Sequence, residues 1–216
     1  MQQFLFDVTQ SLVTHVMFKT WYVASFSAEG NLLSQWRAYC KAGGYSLGFD
    51  GSAINELFSG SGLFAFGKVI YNEEEQVASI RRVVDRSVDT WKRLRDKYPD
   101  VEQAEFDRQL LLQLAIALTE RFIFIKTQAF AEEQEWRVAK YRVESDDLSF
   151  RERSGTLIPF LTTDLRSGGR LPLSAVYVSP LGEQELAHHA AVEALHAAKY
   201  QDADDIIRVA GYRLRF

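Results

Sequence analysis

Glu132-Glu133-Gln134-Glu135-Trp136-Arg137 divides the chain into two kinds of pattern. Before it, apolar residues recur at helical spacing. Glu73-Glu74-Glu75 predicts the start of a long helix, because three carboxylates complement the positive end of the helix dipole. Val77, Ile80, Val84, Val88, Trp91, Leu94 and Tyr98 make its predicted buried stripe. Pro99-Asp100 breaks that helix, and a second is expected from about Val101 to Ala129, with Phe106, Leu110, Leu114, Leu118, Phe122 and Ile125 inward. The middle of the second helix is apolar on nearly every face, so cover on several sides is expected. After Glu135 the period changes to that of strands, expected at Trp136–Val143, Thr156–Leu161, Ala175–Ser179 and Ile206–Phe216. A helix is expected over Glu183–Tyr200, and Ser167-Gly168-Gly169 predicts a hairpin-type turn.

Upstream, Phe4, Val8, Leu12 and Val16 predict an amphipathic helix over about 2–19. Tyr22–Ser27 reads as a strand, Asn31 as the cap of a helix reaching Tyr39, and Gly43-Gly44 as its stop. Tyr45–Phe49 and Phe64–Tyr71 are further expected strands, the latter behind a Gly60-Ser61-Gly62 loop. Strands, then helices, then strands predict an α+β fold rather than alternating βαβ units. The expected architecture has mixed and antiparallel sheets, a long two-helix insertion and a C-terminal helix–strand unit.

Composition sets bounds. At 216 residues the chain suits one compact domain, and 47% apolar content with four prolines argues against disorder. A net charge of −4 supplies no global field for gathering nucleic acid. Cys40 is the sole cysteine, which rules out an internal disulfide and points to a reducing, cytoplasmic setting. Met1–Phe18 lacks the basic start and apolar run of a signal peptide. The most apolar stretch, Leu110–Ile125, is interrupted by Gln113, Thr119, Glu120 and Arg121, so a buried helix is expected rather than a membrane span.

Several motifs have plain readings. Arg81, Arg82, Arg86 and Arg93 are interrupted by Asp85 and Asp89, which predicts a solvated helix face before an RNA-binding one. His189, Glu193 and His196 share a helical face, but further zinc ligands are lacking nearby and no metal is expected. Gly60-Ser61-Gly62 lacks the Lys-Ser/Thr of a phosphate loop, and Cys40 reads as a structural thiol. Trp36 and Tyr39, one helical turn apart, are equally suited to the core and to stacking on a ligand. If Trp136 faces inward, alternation puts Glu135 and Arg137 together on the opposite face. Such a pair suits an ionic ligand or a structural ion pair.

Two resemblances bear on function. An aromatic strand ending in Phe26-Ser27 is followed by Ser34-x-Trp36-x-x-Tyr39, Gly48-Phe49, Glu133-x-Glu135-Trp136-Arg137 and Val176-Tyr177-Val178-Ser179-Pro180. In order, spacing and residue type this resembles a bacterial family, domain of unknown function 2971. Members usually carry an Asn-Asp-Pro segment in an extra N-terminal region, and its lack here implies a shortened member or a fragment. Ser25-Phe26-Ser27 and Glu133-x-Glu135 also resemble the serine strand and the Glu-x-Glu motif of ADP-ribosyltransferases.

The second resemblance implies an ADP-ribosyltransferase-like fold and NAD as a substrate, in enzymes that often serve as toxins or phage-defence effectors. It implies that Glu135 bonds the ribose and stabilises an oxocarbenium-like centre electrostatically. Glu133 would orient or deprotonate the acceptor, Ser25 or Ser27 would fix the ribose, and Trp36 or Tyr39 would stack on nicotinamide. Arg137 would meet an ionic part of the nucleotide. The alternative is a non-catalytic domain binding a small ligand or a partner. The acceptor and the oligomeric state are left open by these residues.

Overall fold

A computed structural model describes residue 10 and residues 21–40, 42–59, 64–142 and 148–211. The predicted N-terminal helix, apart from Gln10, and the Gly60-Ser61-Gly62 loop lie outside the described residues. The chain forms two compact units, Met1–Phe26 with Leu63–Leu161, and Ser27–Gly62 with Thr162–Phe216. The fold is α+β with small mixed and antiparallel sheets, as the order of patterns predicts.

The first unit holds β1 (Trp21–Ser27, whose last residue begins the other unit), β3 (Phe64–Lys68) and β4 (Glu135–Tyr141) in the sheet order β1-β4-β3. Strands β3 and β4 are antiparallel, with Gly67 opposite Arg137 and Lys68 opposite Trp136. Between them runs the expected pair of helices, α3 (Glu73–Lys97) and α4 (Gln103–Ile123). Asn72 caps α3 by accepting a hydrogen bond from the Glu75 N–H at 2.9 Å, and Arg95 and Lys97 close the last turn where the dipole favours cations. The helices meet along one seam, where Leu114 and Leu118 pack with Ile80, Val83, Val84 and Leu111. Trp91 adds a hydrogen bond to Asp107 Oδ1 at 3.0 Å.

The predicted stripe on α3 is wider than the real one. Val77, Val88, Leu94 and Tyr98 are exposed, as is Phe122 on α4, because each helix packs mainly on the other and a single seam buries only a narrow strip. Helix α4 also stops at Ile123, short of the expected Ala129. Phe124-Ile125-Lys126 leaves the helix to pair with Ile70: the Ile70 N–H donates to Phe124 O at 2.8 Å, and the Lys126 N–H to Ile70 O at 3.2 Å. A 3₁₀ turn over Gln128–Glu133 follows. A separate ribbon, β5 (Ser149–Arg153) with β6 (Thr156–Phe160), turns through Ser154 and Gly155, both at positive φ as a two-residue hairpin requires.

The second unit contains α1 (Leu33–Tyr39), β2 (Tyr45–Phe49), α2 (Gly51–Ser59), β7 (Leu173–Val178), α5 (Gln184–Ala197), α6 (Ala203–Ile206) and β8 (Ile207–Val209). Its sheet has the order β2-β7-β8, antiparallel then parallel. Helices α5 and α6 make the crossover that a parallel pair needs. Val176, Val178, Ala191, Leu195, Ala203, Ile206 and Ile207 form its core. Asn31 is not the cap of α1. That position belongs to Leu32, and the Asn31 side chain instead accepts the Trp36 indole N–H at 2.8 Å. Helix α2 had no counterpart in the sequence reading, although Asp50 Oδ1 caps it through the Ala53 N–H at 2.8 Å, with Ile54 and Phe58 buried four residues apart. Among the described residues, no helix is long and apolar enough to cross a membrane.

Candidate functional site

Glu135 opens β4 and is buried, with 6% of its surface exposed. The chain reaches it through Gln134, held left-handed at φ 44°, so a strained residue fixes the angle at which the 3₁₀ turn becomes a strand. The Glu135 backbone is anchored on both sides. Its N–H donates to the Tyr71 hydroxyl at 3.0 Å, and its carbonyl accepts from the Val69 N–H at 2.9 Å.

Both carboxylate oxygens are engaged. Arg137, two residues along the same strand and on the same face, makes a fork: Nε donates to Oε1 and Nη2 to Oε2, both at 2.9 Å. Its remaining terminal nitrogen donates to the carbonyl of Ile123, at the end of α4. From the neighbouring strand β1, the Ser25 hydroxyl donates to Oε1. Lys126 Nζ adds a contact to Oε2 at 3.2 Å.

Burial works against the Glu135 charge, but the bonds from Arg137, Ser25 and Lys126 together outweigh it. The carboxyl is held at a pKa of about 2, against an ordinary value of 4.5. At neutral pH this group is an anion and a hydrogen-bond acceptor, never a proton donor.

Glu133 sits where the 3₁₀ turn ends, more exposed than Glu135, and takes Lys126 Nζ at 2.6 Å. Lys126 therefore joins the two acidic residues of the Glu-x-Glu stretch and also lies 4.6 Å from the centre of the Phe130 ring. Burial opposes its charge, yet the bonds to Glu133 and Glu135 raise its pKa above the usual lysine value. Its backbone is pinned by Ile70 and by Gln76, whose side-chain amide donates to the Lys126 carbonyl at 2.8 Å. The same amide also donates to the carbonyls of Ile70 and Tyr71 at 2.9 and 3.2 Å.

The fold thus gathers Ser25, Glu133, Glu135 and Arg137 in the first unit, as four of the residues singled out from sequence. Alternation correctly pairs Glu135 with Arg137, but their face at Glu135 is buried rather than open. Ser27, Trp36 and Tyr39 fall in the second unit. There, the Ser27 hydroxyl accepts the Glu29 N–H at 3.2 Å, Trp36 is buried with its N–H bonded to Asn31, and Tyr39 is 80% exposed. Of the two alternatives read for this aromatic pair, burial in a core holds for Trp36 and not for Tyr39.

Sequence reading missed Lys126 and Tyr71. Lys126 was assigned to the body of a helix. Its only sequence signal was the β-prone Phe124-Ile125 before it and the acidic cluster beyond. Tyr71 ended an expected strand without a partner to suggest a role.

The model of a family described as protein of unknown function (DUF2971) matches residues 35–138. Over that span the chain is similar to DUF2971. The match contains Tyr71, Lys126, Glu133, Glu135 and Arg137, and it ends before β4 does. Ser25 lies outside it. No curated protein and no solved structure matches the chain.

Proposed function

We propose that the β1–β4 site is an ADP-ribosyltransferase-like centre that takes NAD as its substrate. The observation that carries this reading is the Ser25 hydroxyl donating to the Glu135 carboxylate across neighbouring strands. Cleavage between nicotinamide and ribose builds positive charge on the ribose, and a fixed carboxylate lowers the energy of that charge. Glu135 has the required state, because its low pKa keeps it ionised. Ser25 holds one oxygen in place, leaving the carboxylate little reorganisation to undergo as the charge develops. In this reading Glu133, further out, orients or deprotonates the acceptor, which needs an approach of roughly 2.6–3.2 Å in a productive complex. Trp36, buried in the second unit with its N–H bonded to Asn31, presents no free face for stacking. A role in phage defence or as a toxin follows only from the resemblance of the serine and Glu-x-Glu segments.

One observation favours a second reading, a non-catalytic domain binding an ionic ligand or a partner. Arg137 and Lys126 cover Glu135 with two cations, which offsets the charge that the transfer reaction would use. Two measurements separate the readings. NAD should raise the melting temperature of the full chain, and Glu135→Gln should abolish NAD cleavage while retaining the fold. An absent thermal shift at millimolar NAD sinks the enzyme reading. A Glu135→Gln protein that unfolds, or that cleaves NAD normally, removes the proposed role of Glu135.

A further inference from the structure

We infer that Lys126 is an anion-binding residue whose seat is occupied by Glu133 in the ligand-free protein, so that a phosphate-bearing ligand binds by exchanging with Glu133. It deepens the nucleotide reading by assigning the pyrophosphate of NAD a place, and rests on that reading only for the identity of the anion.

Glu135 draws its main neutralisation from Arg137 rather than from Lys126. Arg137 already supplies a planar fork to both oxygens at 2.9 Å, and Ser25 supplies a further donor. The Lys126 contact to Glu135 is the longer of its two, 3.2 Å against 2.6 Å to Glu133. Lys126 is therefore the lesser counter-charge of Glu135, and its nearer partner is the more accessible carboxylate. Side-chain exposure is 23% for Lys126 and 27% for Glu133, against 8% for Glu135, so solvent and solutes reach the outer pair.

The ion pair is also inexpensive to open. A partly exposed pair of this kind contributes on the order of 1 kcal/mol, whereas unpairing a buried charge costs several times that. An incoming anion thus displaces Glu133 and leaves the Glu135–Arg137 fork intact. The lysine itself stays in place, because Ile70 and Gln76 hold its backbone and Phe130 flanks its ammonium group.

Pyrophosphate binding to the full chain, followed by phosphorus NMR titration, tests the exchange directly. Glu133→Gln should tighten binding about fivefold, the factor equivalent to removing a competing pair worth about 1 kcal/mol. Lys126→Met should abolish binding in both the native and the Glu133→Gln backgrounds, and Lys126→Arg should retain it. Circular dichroism establishes that each variant is folded, and Lys126→Arg with Glu133→Gln decides the matter if Lys126→Met does not fold. Equal affinity in the native protein and Glu133→Gln overturns the inference. Binding that survives in the Lys126→Met, Glu133→Gln double variant, or saturable binding in none of the proteins, does the same. Pyrophosphate binding with this pattern but no NAD binding upholds the exchange and sinks the nucleotide reading. NAD binding that ignores both substitutions does the reverse.

Discussion

The two units solve the problem of a small sheet differently. In the second, β7 and β8 are covered by α5 and α6 mainly through aliphatic side chains, from Val176 and Val178 to Leu195 and Ile206. In the first, β4 begins with a buried anion and satisfies it with an arginine, a lysine and a serine drawn from three segments. An aliphatic core tolerates imperfect partners, since apolar burial is non-directional. A buried carboxylate does not: each donor must arrive, or the desolvation cost stands uncompensated. The contrast teaches that the first unit holds a specific arrangement where stability alone would have favoured hydrocarbon.

The difference is broken most severely at Arg137. Arg137→Met should cost about 3–5 kcal/mol in denaturant unfolding, because Glu135 then stays buried without its main counter-charge. The matching cut in the other unit, Leu195→Ala, should cost about 2–4 kcal/mol, the range for an aliphatic cavity. A loss at Arg137 below that at Leu195 would mean that the ionic cluster is dispensable.

Acid sharpens the same contrast. Glu135 has its folded pKa depressed to about 2 from 4.5, so between those values the unfolded chain binds more protons. Its contribution is present above the unfolded pKa and is lost as pH falls through the folded one, amounting to about 3 kcal/mol when fully developed. Native protein should lose stability from near pH 5 down to about pH 2 more steeply than Glu135→Gln, measured by urea unfolding across that window. Parallel slopes would remove the carboxylate from the account.

Two smaller effects bear on how the first unit delivers its residues. Asn72→Ala should cost about 1 kcal/mol by removing the cap of α3. Gln134→Gly should gain about 0.5 kcal/mol by relieving the left-handed backbone before Glu135, the gain reduced by the greater freedom of glycine in the unfolded chain. If activity falls while stability rises, the strained turn serves the site.

Much of the fold was legible because its signals are local. Glu73-Glu74-Glu75, Pro99 and the Gly43-Gly44 stop each act within a turn or two of chain, and the two long helices fell almost where those residues predict. Strand β2 was equally plain from its aromatic and turn-flanked pattern. Residues 149–153 were missed because a charged strand, Ser149-Phe150-Arg151-Glu152-Arg153, has little apolar alternation to read. The end of α4 was missed because Phe124-Ile125 suits a helix and a strand alike, and pairing with Ile70 decided between them.

The same division holds at the site. By itself the sequence determined that Glu135 and Arg137 share a face, since a strand has period two and no partner is needed to enforce it. It could not determine that Ser25, 110 residues away, donates to that carboxylate, nor that Lys126 stands between Glu133 and Glu135. Those meetings depend on which strand lies beside β4 and on where α4 yields to extended chain. Both are settled by the packing of whole elements, a cooperative outcome that no short run of residues encodes.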